Sequence, residues 1–243
     1  MVTKILPNEA RSAHGIARRV LLIWQNPKSR AFVKIGQLEI HSDGHFDFRY
    51  LSSAQNQPNF TALAQFPNFD DVYSSSSLPA FFANRVMSRQ RENYGEYLGW
   101  LGIAADCETP VEVLVRSGGA RATDTFHIVD DLRMVDGQVV SRFLASGIRH
   151  VPGATERLEV LQAGQELLLR DEPTNPMNQR ALLIDAEANH PVGYVPDWLL
   201  DDVHLLRSVS EVRILAERVN PDAPAHLQLL CRLEAKSAEV TSD

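Results

Sequence analysis

Cysteine is nearly absent from this chain of 243 residues, which has only Cys107 and Cys231. Two thiols that far apart build neither a disulfide framework nor a cysteine zinc site. Reduced thiols in the cytoplasm are the expectation. No apolar run reaches the ~18 residues a membrane span requires, so no membrane partner is expected. The opening MVTKILPNEARSAHGIARR carries basic charge, but no clean apolar stretch or small-residue cleavage site follows it; export is not expected. Catalytic motifs are missing as well. Gly118-Gly119-Ala120-Arg121 lacks the Lys-Ser/Thr end of a phosphate loop and reads as a helix C-terminus. There is neither a G-x-S-x-G elbow nor a G-x-G-x-x-G fingerprint after a strand. His41 and His45 have the four-residue spacing of helical zinc ligands, but they flank an Asp-Gly turn between strands. Asp130-Asp131 and Asp201-Asp202 are adjacent pairs. Strand neighbours point to opposite faces, and acids near helix starts complement the dipole. The chain is therefore expected to be no enzyme, with no catalytic residue, metal or cofactor.

Excess positive charge is also missing. The net charge is −7, which argues against a protein wrapped broadly in phosphate contacts. Residues 1–34 hold seven Lys/Arg against Glu9 alone, whereas residues 141–236 hold ten basic and fourteen acidic side chains. Any nucleic-acid site in the second half has to be small and local.

What is present is a succession of short elements. RVLLIW (19–24), AFVKIGQLEI (31–40) and HFDFRYL (45–51) read as strands. Asp43-Gly44 turns the last two into a hairpin, and Phe46, Phe48 and Tyr50 share one face. Pro79 opens a helix carrying Phe81, Phe82, Val86 and Met87, and a second helical stripe, Tyr94, Tyr97, Leu98 and Leu101, stops at Gly102. Phe81, Phe82, Tyr94, Tyr97 and Trp100 are expected to be core rather than a base-stacking platform. Thr109-Pro110-Val111-Glu112 is a capping box for a helix ending at Gly118-Gly119. Gly137 is the expected domain boundary. Beyond it come a long strand over 139–151, a helix over 155–162 capped by Thr155, and strands at 166–170, 181–186 and 192–195. A helix over 198–207 capped by Asp197 follows, with strands at 211–219 and 226–235 closing the chain. Length and pattern together predict an α+β protein of two domains. A flexible basic N-terminus (1–17) precedes a domain over 18–136; a small, partly open β-barrel with two short helices (140–236) precedes a tail (237–243).

The second half resembles the HIRAN family. The likeness rests on ASGIRHV (145–151), Gly164 before ELLLR, Glu172-Pro173-x-Asn175-Pro176, Ala181, and Gly193-Tyr194-Val195-Pro196 before a helix. It covers about ninety residues. It implies a fold similar to an oligonucleotide-binding barrel, and capture of a single-stranded DNA 3′ end. In that family aromatic faces stack the last bases and a carboxylate accepts from the 3′-hydroxyl. Where the family has an aromatic followed by Asp, this chain has Met177 and Asn178. His150 follows Arg149 where an aromatic is common. The site residues implied are Arg149, His150, Asn175, Met177, Asn178 and Tyr194. The plainer alternative is that Asn175 and Pro176 only shape a turn.

The first half is similar, more faintly, to the N-terminal subdomain of HipA-type toxin kinases, which implies a bacterial protein. The opening strands and Leu78-Pro79-Ala80-Phe81-Phe82-Ala83-Asn84 carry that likeness. The kinase's catalytic lobe has no counterpart, so no catalytic residue is carried over. Two functions follow as expectations. One is non-catalytic binding of single-stranded DNA or DNA ends through the second half. The other is a protein-interaction subunit or antitoxin-like partner, with residues 18–136 docking a kinase, helicase or nuclease.

Overall fold

The computed structural model describes residues 3–5, 15–121 and 123–236. Most of the expected N-terminal arm and the tail at 237–243 lie outside the described residues. Among those described, six short helices punctuate the chain: α1 Ser52–Gln55, α2 Ala80–Ala83, α3 Tyr94–Trp100, α4 Pro110–Ser117, α5 Ala154–Val160 and α6 Leu200–Val209. The fold is α+β, with two antiparallel sheets in two compact units. The first unit is 1–91 with 108–131, and the second is 92–107 with 132–243.

The first unit holds β1 Thr3–Ile5, β2 Ile16–Gln25, β3 Phe32–His41, β4 Phe46–Tyr50, β5 Val72–Ser75 and β6 Phe126–Asp130, in the order β1-β5-β4-β3-β2-β6. Within the segment 1–17 expected to be loose, the described residues Thr3–Ile5 pair with β5 and β2 begins at Ile16; residues 1–2 and 6–14 lie outside the described residues. Alternation along β4 places Phe48 and Tyr50 in the core, as their spacing required. Phe48 lies 4.2 Å from Phe66, centroid to centroid, and the Tyr50 hydroxyl donates to the Phe66 carbonyl at 2.9 Å. The Thr109 hydroxyl accepts from the Glu112 N–H at 3.1 Å, and Gly118 ends α4 in the left-handed region. The Glu112 carboxylate does not reach back to complete the box. It pairs with Arg18 at 2.5 Å and Arg116 at 2.6 Å, because two guanidiniums attract it more strongly than one N–H. The helix expected from Pro79 through Met87 shortens to α2.

The second unit holds β7 Arg133–Val135, β8 Gln138–Leu144, β9 Glu166–Asp171, β10 Leu182–Glu187, β11 His190–Tyr194, β12 Val212–Val219 and β13 Leu229–Lys236. Their order is β11-β10-β9-β12-β13-β8-β7, around an aliphatic core that includes Leu158, Leu182, Ile184, Val203 and Leu233. Gly137 is not a linker but part of the tight turn between β7 and β8. Residues 92–107, expected in the first domain, belong to this unit: the Asn220 amide donates to the Trp100 carbonyl at 2.9 Å. The expected caps at Thr155 and Asp197 do not form, since α5 starts after a left-handed Gly153 and α6 follows a 3₁₀ turn over Asp197–Leu199. The sheet curls until Ser146, just past β8, meets β11 in an isolated bridge to Tyr194. That near-closure makes a partly open barrel and positions the candidate site.

Candidate nucleic-acid interface

The strand expected over 139–151 stops at Leu144. Ser146 exchanges both backbone hydrogen bonds with Tyr194, each at 2.9 Å. Gly147 then takes φ +65°, and a Cβ there would sit 2.9 Å from Cδ2 of the Tyr194 ring. Only glycine satisfies both the angle and the contact. The chain consequently turns into a 3₁₀ segment, Ile148–His150, which leaves Arg149 and His150 exposed, with Arg149 Nε 3.0 Å from His150 Nε2.

Tyr194 leads from this turn to the loop after β9. Burial, together with the charge of the nearby Glu172 carboxylate, pushes its phenol upward. Glu172 accepts from the Asn175 amide at 2.5 Å. The Asn175 carbonyl oxygen in turn accepts from the N–H groups of Met177 at 2.9 Å and Asn178 at 3.2 Å. Asn175 is thus an internal brace, with one amide hydrogen left over. The Asn178 oxygen accepts from the Arg180 N–H at 2.9 Å, and its amide points at Asp197 over 3.4 Å. Although Asp197 reaches the surface, desolvation raises its carboxyl, outweighing the Asn178 hydrogen bond. Met177 is 81% exposed at the apex of this braced turn.

Glu172 therefore lies near the Tyr194 phenol and gathers Asn175 and, through Asn175, Met177 and Asn178. Arg149 and His150 are brought close only through Gly147 beneath the Tyr194 ring. Glu172, Arg180 and Asp197 escaped the site reading from sequence. The signal for Glu172 was its place in the Glu-Pro-x-Asn-Pro run; nothing local marked the other two.

Most positive charge in this half is already engaged. Of its ten Lys/Arg, Arg142, Arg170, Arg180, Arg207, Arg213 and Arg232 face carboxylates. Arg157 donates to the carbonyls of Pro152 and Pro191. Among the described residues, Arg149, Arg218 and Lys236 are left without a carboxylate partner. Also among the described residues, no group of His, Cys, Asp and Glu side chains could hold a metal ion; His41 pairs with Asp47, and His45 with Asp43. No described helix is long and apolar enough to cross a membrane.

No protein-family model matches the chain, and no curated protein matches it. Among solved structures, the chain is similar to the HIRAN domain of human HLTF at 14% identity and a TM-score of 0.34, covering 44% of this chain and 84% of that one. It is similar also to a protein from Lactobacillus plantarum at 16% identity and a TM-score of 0.34, covering 41% of this chain and 97% of that one.

Proposed function

We propose that the second unit binds nucleic acid without catalysing a reaction, and that its ligand is single-stranded DNA at or near a 3′ end. One observation carries this reading. Arg149, a guanidinium with no carboxylate partner among the described residues, stands on the turn that begins beneath the Tyr194 ring. Glu172, whose charge acts on the Tyr194 phenol, accepts from Asn175, which braces the turn that displays Met177.

An unpaired guanidinium meets a phosphate without first breaking an ion pair. The exposed Met177 thioether offers a polarisable surface against a base, and the His150 imidazole offers a ring face. These contacts are tolerant of sequence. The residue pattern of Glu172 through Asn178 and of Gly193 through Pro196 supports the 3′-end part of the reading. With so few free cations, binding is weak and its salt dependence shallow, since each phosphate neutralised contributes a slope of about −0.7 for single strands.

Fluorescence anisotropy tests this with a short strand ending in a 3′-hydroxyl and its 3′-phosphate twin, at low and moderate salt. Preference for the hydroxyl is the expected result. Equal weak binding would reduce the site to a generic electrostatic contact. Binding to neither strand would end the nucleic-acid reading and turn attention to a protein partner for the first unit.

A further inference from the structure

The loop between β9 and β10 is held at its far end by one residue. Arg180 uses three separate groups: its N–H goes to Asn178 Oδ1 at 2.9 Å, its carbonyl accepts from His204 Nε2 at 2.9 Å, and its guanidinium pairs with Asp201. Asp201 and His204 are three apart on α6 and so share a helical face. The donated hydrogen bond fixes the proton on Nε2 of His204. At the near end, Arg207 of the same helix pairs with Asp171 at 2.9 Å and holds that carboxyl below its usual range through their hydrogen bond. The loop's backbone closes on itself: Glu172 N–H to the Ala181 carbonyl at 3.0 Å, and Ala181 N–H to the Asn178 carbonyl at 2.9 Å.

From this geometry we propose that Arg180 is a positioning residue for the nucleic-acid site. With Asp201 and His204 it fixes the turn that presents Met177 and Asn178, and it acts through that turn rather than on a phosphate. The proposal rests on the nucleic-acid reading above and goes further by assigning α6 as the support of the binding loop.

The two roles open to an exposed arginine predict opposite signs. If Arg180 touched phosphate, Asp201→Asn would free it and tighten binding. As a positioning residue, Arg180 loses its anchor in that variant and binding weakens, even though a negative charge has been removed near a polyanion.

The experiment is anisotropy with the 3′-hydroxyl strand across a salt series, on the full chain, with thermal melting alongside. Asp201→Asn is expected to weaken binding about threefold, the scale of one exposed ion pair, at unchanged salt slope and unchanged Tm. His204→Ala weakens it similarly, and His204→Gln, which keeps a donor near Nε2, restores it. In the free protein the Arg180 amide exchanges faster in Asp201→Asn. Tighter binding with a steeper slope, or unchanged affinity in Asp201→Asn, overturns the positioning role while leaving nucleic-acid binding in place. Absence of binding by the unaltered chain removes both.

Discussion

Arg85 in the first unit and Arg149 in the second carry the same guanidinium in opposite settings. The Arg85 side chain is 3% exposed, forks onto both oxygens of Asp124 at 2.6 and 3.1 Å, donates to the Gly119 carbonyl, and lies 4.4 Å over the Phe81 ring. Arg149 is exposed, with only a neighbouring imidazole at 3.0 Å among the described residues. A buried charge is tolerable only when it is paired; Arg85 is paired through its two terminal nitrogens, although its buried Nε has no partner, and so is committed to the fold. A solvated charge costs the fold nothing and keeps its donors for a ligand. The contrast extends to the cores: the first unit packs aromatics such as Phe48, Phe66 and Phe82, whereas the second packs mainly Leu, Ile and Val and keeps Tyr194 only partly buried, beside the site.

The sharpest way to break this comparison is to remove each guanidinium. Arg85→Met strands Asp124 in a partly buried position and is expected to destabilise the first unit by about 3 kcal/mol. Hydrogen exchange resolved by peptide will show the loss in 15–91 and 108–131. Protection in β8 through β13 dropping equally would mean that the units do not unfold separately. Arg149→Ala should leave stability within about 0.5 kcal/mol. It should cost roughly tenfold in affinity for the single strand, the scale of one charged hydrogen bond, and flatten the salt slope by about 0.7. A melting loss comparable to that of Arg85→Met would make Arg149 structural and dissolve the contrast.

The sequence disclosed what is decided locally. Asp43-Gly44, the Phe46/Phe48/Tyr50 face and the Thr109 cap each depend on neighbours within a few residues, and each stands where expected. It concealed what is decided at a distance. The alternation in VVSRFLASGIRHV reads as one strand, and only the approach of the Tyr194 ring from 47 residues away makes Gly147 a turn. The stripe Tyr94, Tyr97, Leu98 announces burial without saying against what, and 92–107 belongs to the second unit rather than to the first, which its place in the chain suggests. At the site, the six residues the motif implies are legible, and so is Glu172 from its place in the Glu-Pro-x-Asn-Pro run, whereas Arg180, Asp197, Asp201 and His204, which hold the loop in place, carry no mark of that role in sequence. Their partners across loop and helix lie 19 to 24 residues away.

Acid sharpens the comparison with the smallest effects, because two carboxyls respond with opposite sign. Burial alone would raise Glu112, but Arg18 and Arg116 outweigh it and hold the group below its ordinary value. A folded pKa below the unfolded one means that the unfolded chain takes up protons first. The stability Glu112 adds is therefore present above about pH 4.3 and is lost as pH falls through the folded value. Asp197 is shifted upward by desolvation, beyond what the Asn178 hydrogen bond offsets. Ionising it costs the folded state, so its contribution improves as pH falls through the folded value and is complete below about pH 3.9. Between pH 5 and pH 3, Glu112→Gln should flatten the acid loss of protection in the first unit, and Asp197→Asn should slightly steepen that of the second. Two shifts of the same sign would mean that Asp197 is held by a cationic partner, and its place beside Asn178 would no longer distinguish the open site from the closed network around Arg18.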